Sequence, residues 1–329
     1  MNPPIRHSRR HMLALGAGLA LSAPLLPAWA QSFPTRPLRL LVNFAPGSTP
    51  DIVARSVGQQ ISQSLGQPVV VENRSGGAGM IGLNALHTAT PDGYTFGLIA
   101  GSTMAIGPHL VRLAYDPLRE MVPVAAAARF ELFLVTRAGL PFDDYAGFLR
   151  HLRANPGRLN FGSPGNGSSP HIAAEMLLAA TNTQATHIPY RGSADVVQAL
   201  LSNTVDWAFD PGVSFQHVRA AGRLNMLAVT GQRRVEQFSN VSTLRELGLA
   251  DFDVGTSHGF WAPPGTPAPI VERLNRAINS ALLVQGVIDP IRGFGAEPTP
   301  LTPAQFLALS RSDSERYGRV VRERNITAD

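Results

Sequence analysis

Apolar and polar residues alternate along the chain in two patterns that predict strands and helices in turn. An apolar run at 38–44 predicts a strand. The segment after it places Val53, Val57 and Ile61 four residues apart, which predicts an amphipathic helix that Gly66 ends. Further elements are predicted as a strand at 69–72, a helix at 80–88 and a strand at 94–100. Together they predict one doubly wound lobe.

A long extended stretch at 122–136 carries the chain into a second series of elements. This series is predicted as a helix at 143–154, a strand at 159–163, a helix at 171–180, a strand at 185–190, a helix at 194–202, and strands at 205–210 and 224–230. Such repetition of strand and helix favours a parallel sheet with helices on both faces. It predicts a second lobe.

The C-terminal part begins with a Pro-rich stretch at 261–265 and continues with a predicted helix at 269–283. It has too few strands for a third sheet, so we expect it to return to the first lobe and two strands to form a hinge. The fold class is therefore α/β and two-lobed, each lobe a mixed, mainly parallel sheet flanked by helices. We expect lobe 1 to span 31–128 plus 250–329 and lobe 2 to span 129–249.

The first 30 residues have the pattern of a cleaved signal peptide. A basic start with Arg9 and Arg10 precedes an apolar run at 12–26 and a small-residue site at 28–30. The apolar run is shorter than the ~20 residues of a membrane span, which argues against an anchor. The arginine pair resembles a twin-arginine signal, although ordinary secretory leaders also begin with basic residues. Without cysteine, the mature chain has no disulfide and no lipid-accepting thiol, and we expect it in the periplasm.

The basic excess of the sequence comes mainly from the leader. The chain has 28 basic and 23 acidic residues, and three of the basic ones are Arg6, Arg9 and Arg10, which leaves 25 against 23. Every basic residue is arginine, and no basic run follows the leader. This distribution argues against a nucleic-acid partner.

Two similar loops carry the most informative chemistry. Residues 44–51 and 162–171 each follow a predicted strand and open a predicted helix, and each contains glycines that let backbone N–H groups turn toward a ligand. We expect Thr49 and Ser169 at the N-cap, each followed by a proline at the first helical position. Helix N-termini attract anions, so two such loops in two lobes predict an anion site between them. Ordinary helix capping is the alternative interpretation of each loop alone.

Other motifs give weaker evidence about the function. Arg191, between a predicted strand and helix, has the geometry to pair with a carboxylate, or it is a surface arginine beside a capping Ser193. The sequence at 77–82 spells GxGxxG, but no acidic residue follows at the spacing of a dinucleotide site. The seven histidines after the leader lack metal-ligand spacing, the sequence Gly162-Ser163-Pro164-Gly165 is one residue out of frame for a GxSxG motif, and no thiol nucleophile is present. We therefore expect no cofactor, no metal and no enzymatic activity.

Many short motifs occur in an order that resembles one known family. They are the openings at 33–34 and 37–39, Pro46-Gly47 with Asp51, 69–74 with the glycine-rich turn 76–79, 91–95, 115–117, 123–124, 163–171, 189–192, 243–248 and 262–267. In these motifs the chain is similar, from Phe33 to the C-terminus, to the Bug or TctC extracytoplasmic solute receptors of tripartite tricarboxylate transporters. The resemblance implies a Venus-flytrap fold, the periplasmic-binding-protein fold, and a small ligand that usually bears a carboxylate.

The resemblance also implies where the ligand lies. Family ligands are held by the first loop, by the turn around Ser102 and Thr103, by the second loop and by residues after Tyr190. The candidate ligand-binding residues are Phe44, Pro46, Gly47, Ser48, Thr49, Asp51, Ser102, Thr103, Ser163, Asn166, Gly167, Ser168, Ser169, His171, Tyr190, Arg191, Gly192 and Asp210. Ser48 stands where the family usually has a second glycine, and Pro50 where it often has Thr or Ser. The serine at residue 48 therefore puts in doubt the positive φ that a glycine would allow there, and the proline at residue 50 removes one hydroxyl contact from the expected set.

The sequence thus predicts a monomeric periplasmic receptor that captures a small carboxylate or related anionic solute and delivers it to membrane permease subunits. A sensory role, in which the closed receptor contacts a sensor kinase or regulator, uses the same cleft and stays open as an alternative. An exported enzyme is a third hypothesis. The identity of the solute is not readable, because binding through backbone groups leaves few side chains to interpret.

Overall fold

The computed structural model describes residues 33–211, 222–250, 252–293 and 295–328, so the predicted leader lies outside the described residues. The strands in these ranges are β1 Leu38–Val42, β2 Val69–Asn73, β3 Thr95–Ile99, β4 Val122–Arg137, β5 Asn160–Ser163, β6 Thr186–Pro189, β7 Trp207–Pro211, β8 Leu224–Val229, β9 Gly255–Ala262 and β10 Ala296–Pro298. The helices are α1 Thr49–Leu65, α2 Met80–His87, α3 Gly101–Ala105, α4 Gly107–Leu110, α5 Pro117–Glu120, α6 Tyr145–Ala154, α7 Ser169–Thr181, α8 Ser193–Leu201, α9 Ala268–Ala281, α10 Gln285–Gly293 and α11 Pro303–Glu323.

The long strand β4 joins the two halves of the sheet. Its first part, residues 122–131, pairs with β9 and β10, whereas residues 132–137 pair with β7 and β8. The strand order is β2-β1-β3-β9-β4-β7-β5-β6, with β8 and β10 also paired to β4. The chain therefore crosses between the halves inside one 16-residue strand, which corresponds to the long extended stretch predicted at 122–136.

The pairing directions separate the outer strands from the central ones. β1 runs parallel to β2 and β3 in one half, and β5 runs parallel to β6 and β7 in the other. The pairs that involve β4 or β9 are antiparallel. With helices packed on the sheet, this is the predicted two-lobed α/β fold, each lobe a mixed sheet flanked by helices. The carboxyl ends of β1 and β5 lead directly into the two glycine-containing loops.

The C-terminal helix α11 connects the halves through both apolar and polar contacts. Its residues Tyr317 and Val321 belong to a buried cluster that also contains Ile172 of α7 and Phe209 of β7. Near its end, Arg324 Nε lies 2.6 Å from the Glu175 carboxylate of α7. Helix α11 was not assigned bounds from the sequence, and β10 was not predicted at all. Among the described residues, none of the helices is both long and apolar enough to span a membrane.

A half-buried ionic cluster lies where β4 meets the segment that enters β9. Arg129 of β4 is 2.9 Å from Glu131 Oε1 and 2.6 Å from Asp253 Oδ1. Arg316 of α11 is 3.4 Å from Asp253 Oδ2 and also pairs with Asp313. Because buried charges are costly unless paired, this cluster fixes three chain segments against one another.

Candidate functional site

The first loop, residues 43–51, is held by a carboxylate. Asp51 Oδ2 accepts hydrogen bonds from Gly47 N and Arg55 Nε, both at 2.9 Å, and Asp51 Oδ1 accepts one from Asn73 Nδ2 at 2.8 Å. Burial raises the pKa of Asp51, but the hydrogen bonds from Arg55, Gly47 and Asn73 lower it below its ordinary value. Asp51 is buried, and through these hydrogen bonds it positions the backbone of the loop.

The start of α1 differs by one residue from the prediction. Ser48, rather than Thr49, is the N-cap, and Thr49 is the first helical residue. Ser48 has φ −70°, so the positive φ questioned at this position is not required, and Gly47 adopts it instead at φ 78°. Serine therefore fits here without strain. Its hydroxyl donates to Ala45 O at 2.6 Å and makes no cap hydrogen bond.

A buried asparagine that the sequence analysis missed links the first loop to the turn around Ser102 and Thr103. Asn43 Nδ2 donates to Thr103 Oγ1 at 2.8 Å, and Asn43 Oδ1 accepts from Ala100 N at 3.1 Å. Thr103 Oγ1 donates in turn to Ala78 O at 3.0 Å. The signal was present, since Asn43 is a polar residue inside an otherwise apolar run, and buried polar groups in folded proteins are hydrogen-bonded.

The glycine-rich turn at 76–79 lies against this asparagine. Gly76, Gly77, Ala78 and Gly79 all have positive φ, which compresses the chain into a tight turn. A Cβ on Gly79 would collide with Asn43 Nδ2 and with Thr103 Oγ1. Glycine is therefore needed at this position for both its backbone conformation and the close approach of two polar side chains.

The second loop, residues 163–171, is held by histidines. Ser163 Oγ lies 2.7 Å from His187 Nε2 and donates to Gly165 O at 3.0 Å. His171 Nδ1 accepts a hydrogen bond from Gly167 N at 3.1 Å, and its ring stacks on His187 with centroids 3.8 Å apart. Burial, followed by the neighbouring His187, lowers the pKa of His171 to about 3. The neutral ring is what accepts the Gly167 N–H.

Helix α7 also begins one residue from the predicted position. Ser168 is the N-cap and its Oγ accepts from His171 N at 3.4 Å, so Ser169 is the first helical residue. The same shift occurs at α8, where Gly192, extended at φ 175°, is the N-cap and Ser193 is helical. In each loop the predicted hydroxyl residue is therefore inside the first turn instead of capping it.

The contacts divide the candidate residues into two groups. The polar side chains engaged within the protein are Ser48, Asp51, Thr103, Ser163, Ser168 and His171. Thr49, Ser102, Ser169, Tyr190 and Arg191 make no side-chain hydrogen bond to the described residues. Tyr190 is adjacent to the second loop, because its N–H donates to Ser163 O at 2.9 Å. Burial raises the pKa of Tyr190, which keeps its hydroxyl protonated.

The remaining candidates are placed by their elements. Phe44 O accepts the Asn73 amide at 2.9 Å, and Pro46 lies exposed in the first loop. Asn166 lies in the second loop, and Asp210 is fully buried near the C-terminal end of β7. Each of these positions is at or beside the carboxyl end of a strand, where ligands of α/β proteins bind.

Helices α3 and α4 connect the Ser102 turn to the second loop. Ala105 and Ile106 share a buried cluster with Ile172 and Ala173 of α7. The Leu110 side chain occupies the position that a Cβ on Gly167 would take. The two loops and the Ser102 turn therefore lie around one region between the halves of the sheet, as expected for a solute-binding protein of two lobes.

Comparison with known proteins shows to which family of solute-binding proteins the chain belongs. Residues 53–326 match the family model described as TctC, the tripartite tricarboxylate transporter family receptor. The chain belongs to this family of periplasmic solute-binding receptors. It is 34% identical to the BugT protein of Bordetella pertussis over 318 residues, covering 95% of this chain and 97% of BugT.

Two solved structures with bound ligands are similar over most of the chain. One is a protein of R. palustris solved with adipate, which is 29% identical with a TM-score of 0.80, covering 90% of this chain and 100% of that protein. The other is MatC of Rhodopseudomonas palustris with bound malate, which is 30% identical with a TM-score of 0.76, covering 88% of this chain and 100% of MatC. The family predicted from the sequence motifs is thus confirmed.

Proposed function

We propose that this receptor binds a small carboxylate-bearing solute between its two loops and delivers it to the membrane subunits of a tripartite transporter. One observation supports this proposal more than any other. Thr49 and Ser169 each present a backbone N–H and a hydroxyl that have no hydrogen-bond partner among the described residues. Both lie in the first turn of a long helix, where the helix dipole favours negative charge.

The adipate and malate bound by the two solved relatives are both dicarboxylates, which supports a ligand with two acidic groups. Two helix N-termini suit such a ligand, because each end can receive one carboxylate. Arg191 is exposed and next to the Tyr190 wall of the second loop, so it can pair with a carboxylate when the lobes close. Closure stabilised by the ligand is a shift of the population toward the closed state.

Calorimetry against adipate, malate and their diamides tests the ligand class. We expect a diacid to bind with micromolar affinity, about 8 kcal/mol, and the matched diamide far more weakly. Ser169→Ala should weaken diacid binding about tenfold, since a hydrogen bond to a charged group contributes about 1.5–3 kcal/mol. Ser280→Ala, the same change on the exposed face of α9, should leave the affinity unchanged. Failure of every carboxylate to bind better than millimolar would contradict the proposal.

The other predictions on cellular role extend this proposal. We infer export by the leader 1–30 with its twin-arginine-like start, a monomeric mature protein, and lobes of 31–128 plus 250–329 and of 129–249. N-terminal sequencing of the periplasmic protein checks cleavage, and scattering with and without ligand checks both mass and closure. We also propose that the receptor releases its ligand unchanged, which mass spectrometry of the ligand after prolonged incubation tests.

A further inference from the structure

A cavity of about 690 Å³ opens between the segment 108–119 and the C-terminal helix α11. None of the residues that line it belongs to the two binding loops or to the Ser102 turn. Its volume lies in the ~300–1,000 Å³ range of small-molecule sites. Apolar walls contributed by Pro108, Val111 and Leu113 alternate with charged groups.

Three arginines line this cavity: Arg112, Arg119 and Arg311. Arg311 Nη2 donates to Leu118 O at 3.3 Å, which directs its guanidinium toward the segment that carries Arg119. The side chains of Arg112 and Arg119 are exposed and form neither a hydrogen bond nor an ion pair with any described residue. By contrast, arginines such as Arg36 and Arg137 each lie 2.9 Å from a carboxylate.

The carboxylates at the cavity do not neutralise these three groups. Asp116 Oδ1 accepts the Leu118 N–H at 3.0 Å as the N-cap of α5, and Glu315 is exposed on α11. Three guanidinium groups against two carboxylates leave the cavity with an excess of positive charge. His109 adds no negative charge, since an imidazole is neutral or cationic, and its Nε2 donates to Ser314 O at 2.9 Å because a carbonyl oxygen only accepts.

We propose that this cavity binds a small polyanion that carries two or more carboxylate or phosphate groups. Guanidinium groups are planar donors that match both carboxylate and phosphate oxygens. Three of them on opposite walls of one cavity favour a ligand with more than one anionic group, and the apolar walls between them accommodate its carbon or bridging atoms. The proposal does not depend on which solute occupies the cleft.

Calorimetric titration of the mature protein with pyrophosphate and with citrate tests this site at low ionic strength. We expect one of these probes to bind, and Arg112→Gln with Arg119→Gln to weaken that binding at least about tenfold. Neither side chain has a hydrogen bond or ion pair with the described residues to lose, so the double variant should fold normally. Binding in the wild type should also shift the ring resonances of His109, and it should weaken with added salt.

The matched control is Arg150→Gln with Arg245→Gln, which removes two exposed arginines from other surfaces. This control should bind the probe as the wild type does. Binding of pyrophosphate alone assigns a phosphate ligand, and binding of citrate alone assigns a carboxylate ligand. The proposal is overturned if neither probe binds, if R112Q/R119Q binds as the wild type does, or if the control loses as much affinity.

Discussion

The two binding loops have similar sequences but are anchored by opposite electrostatic means. The first loop is held by the ionised Asp51, which accepts three hydrogen bonds and pairs with Arg55. The second loop is held by His171, whose uncharged ring accepts the Gly167 N–H. A charged anchor and a neutral anchor can produce similar loop geometries, but they respond differently to pH and to substitution.

The comparison teaches that a similar loop sequence does not imply a similar cause of rigidity. In both loops the acceptor lies within the motif, four residues after the glycine that it holds, because Asp51 accepts from Gly47 N and His171 accepts from Gly167 N. Each acceptor also has a partner outside its motif, since Asn73 of β2 donates to Asp51 and the His187 ring of β6 stacks on His171. The two anchors therefore differ in charge rather than in their place along the chain.

The largest effect should follow removal of the buried amide beneath the first loop. Asn43→Leu keeps the approximate volume but leaves Ala100 N without its acceptor and Gly79 O without its donor in a buried region. Each unsatisfied group costs about 1–3 kcal/mol, so we expect the free energy of unfolding to fall by about 3 kcal/mol. Urea denaturation measures this change.

Asn84→Leu is the matched control for this prediction. Asn84 is exposed on α2 and its Oδ1 accepts one hydrogen bond from the Tyr115 hydroxyl at 2.7 Å. The same substitution there should cost less than about 1 kcal/mol, since water can replace the lost partner. Equal losses in the two variants would show that Asn43 does not depend on its buried hydrogen bonds.

Asn43 also shows how far the sequence alone could lead. Hydrophobic periodicity predicted the two-lobed fold, because elements such as β1 and α1 bury a regular apolar set, and the glycine motifs predicted the two loops. Periodicity cannot show which polar side chain meets which, since the contact between Asn43 and Thr103 joins residues 60 apart in sequence. For the same reason periodicity cannot show that Gly47, Arg55 and Asn73 all donate to Asp51.

A smaller effect on the free energy of unfolding should appear as the pH is lowered, and it should distinguish the His171 anchor from the Asp51 anchor. The folded-state pKa of His171 is about 3, below the ordinary value near 6.5, so the unfolded chain takes up this proton first. Stability contributed by neutral His171 is therefore full above pH 6.5 and falls progressively toward pH 3. From pH 6.5 to pH 5 this loss is about 2 kcal/mol. His171→Phe should remove that part of the pH dependence in denaturation experiments at pH 7 and pH 5.

Asp51→Asn provides the opposite pattern. The pKa of Asp51 is lowered in the folded state, so its contribution is present above the ordinary value near 3.9 and lost only as the pH falls below it. The variant should be less stable at pH 7, because Arg55 and Gly47 lose a charged acceptor, yet its change between pH 7 and pH 5 should equal that of the wild type. If H171F and the wild type show the same change over this interval, the proposed neutral anchor is wrong.

The smallest effect concerns the two helix caps, where the loops differ by a single hydrogen bond. Ser168 Oγ accepts the His171 N–H, whereas the Ser48 hydroxyl donates to Ala45 O and leaves the first turn of α1 uncapped. Ser168→Ala should therefore lower the free energy of unfolding by about 1 kcal/mol, and Ser48→Ala by less than about 0.5 kcal/mol. Thermal unfolding of both variants, without ligand, compares the two caps directly. A larger loss for Ser48→Ala would mean that the first turn of α1 is capped in solution, and its N–H groups would then be unavailable to a ligand.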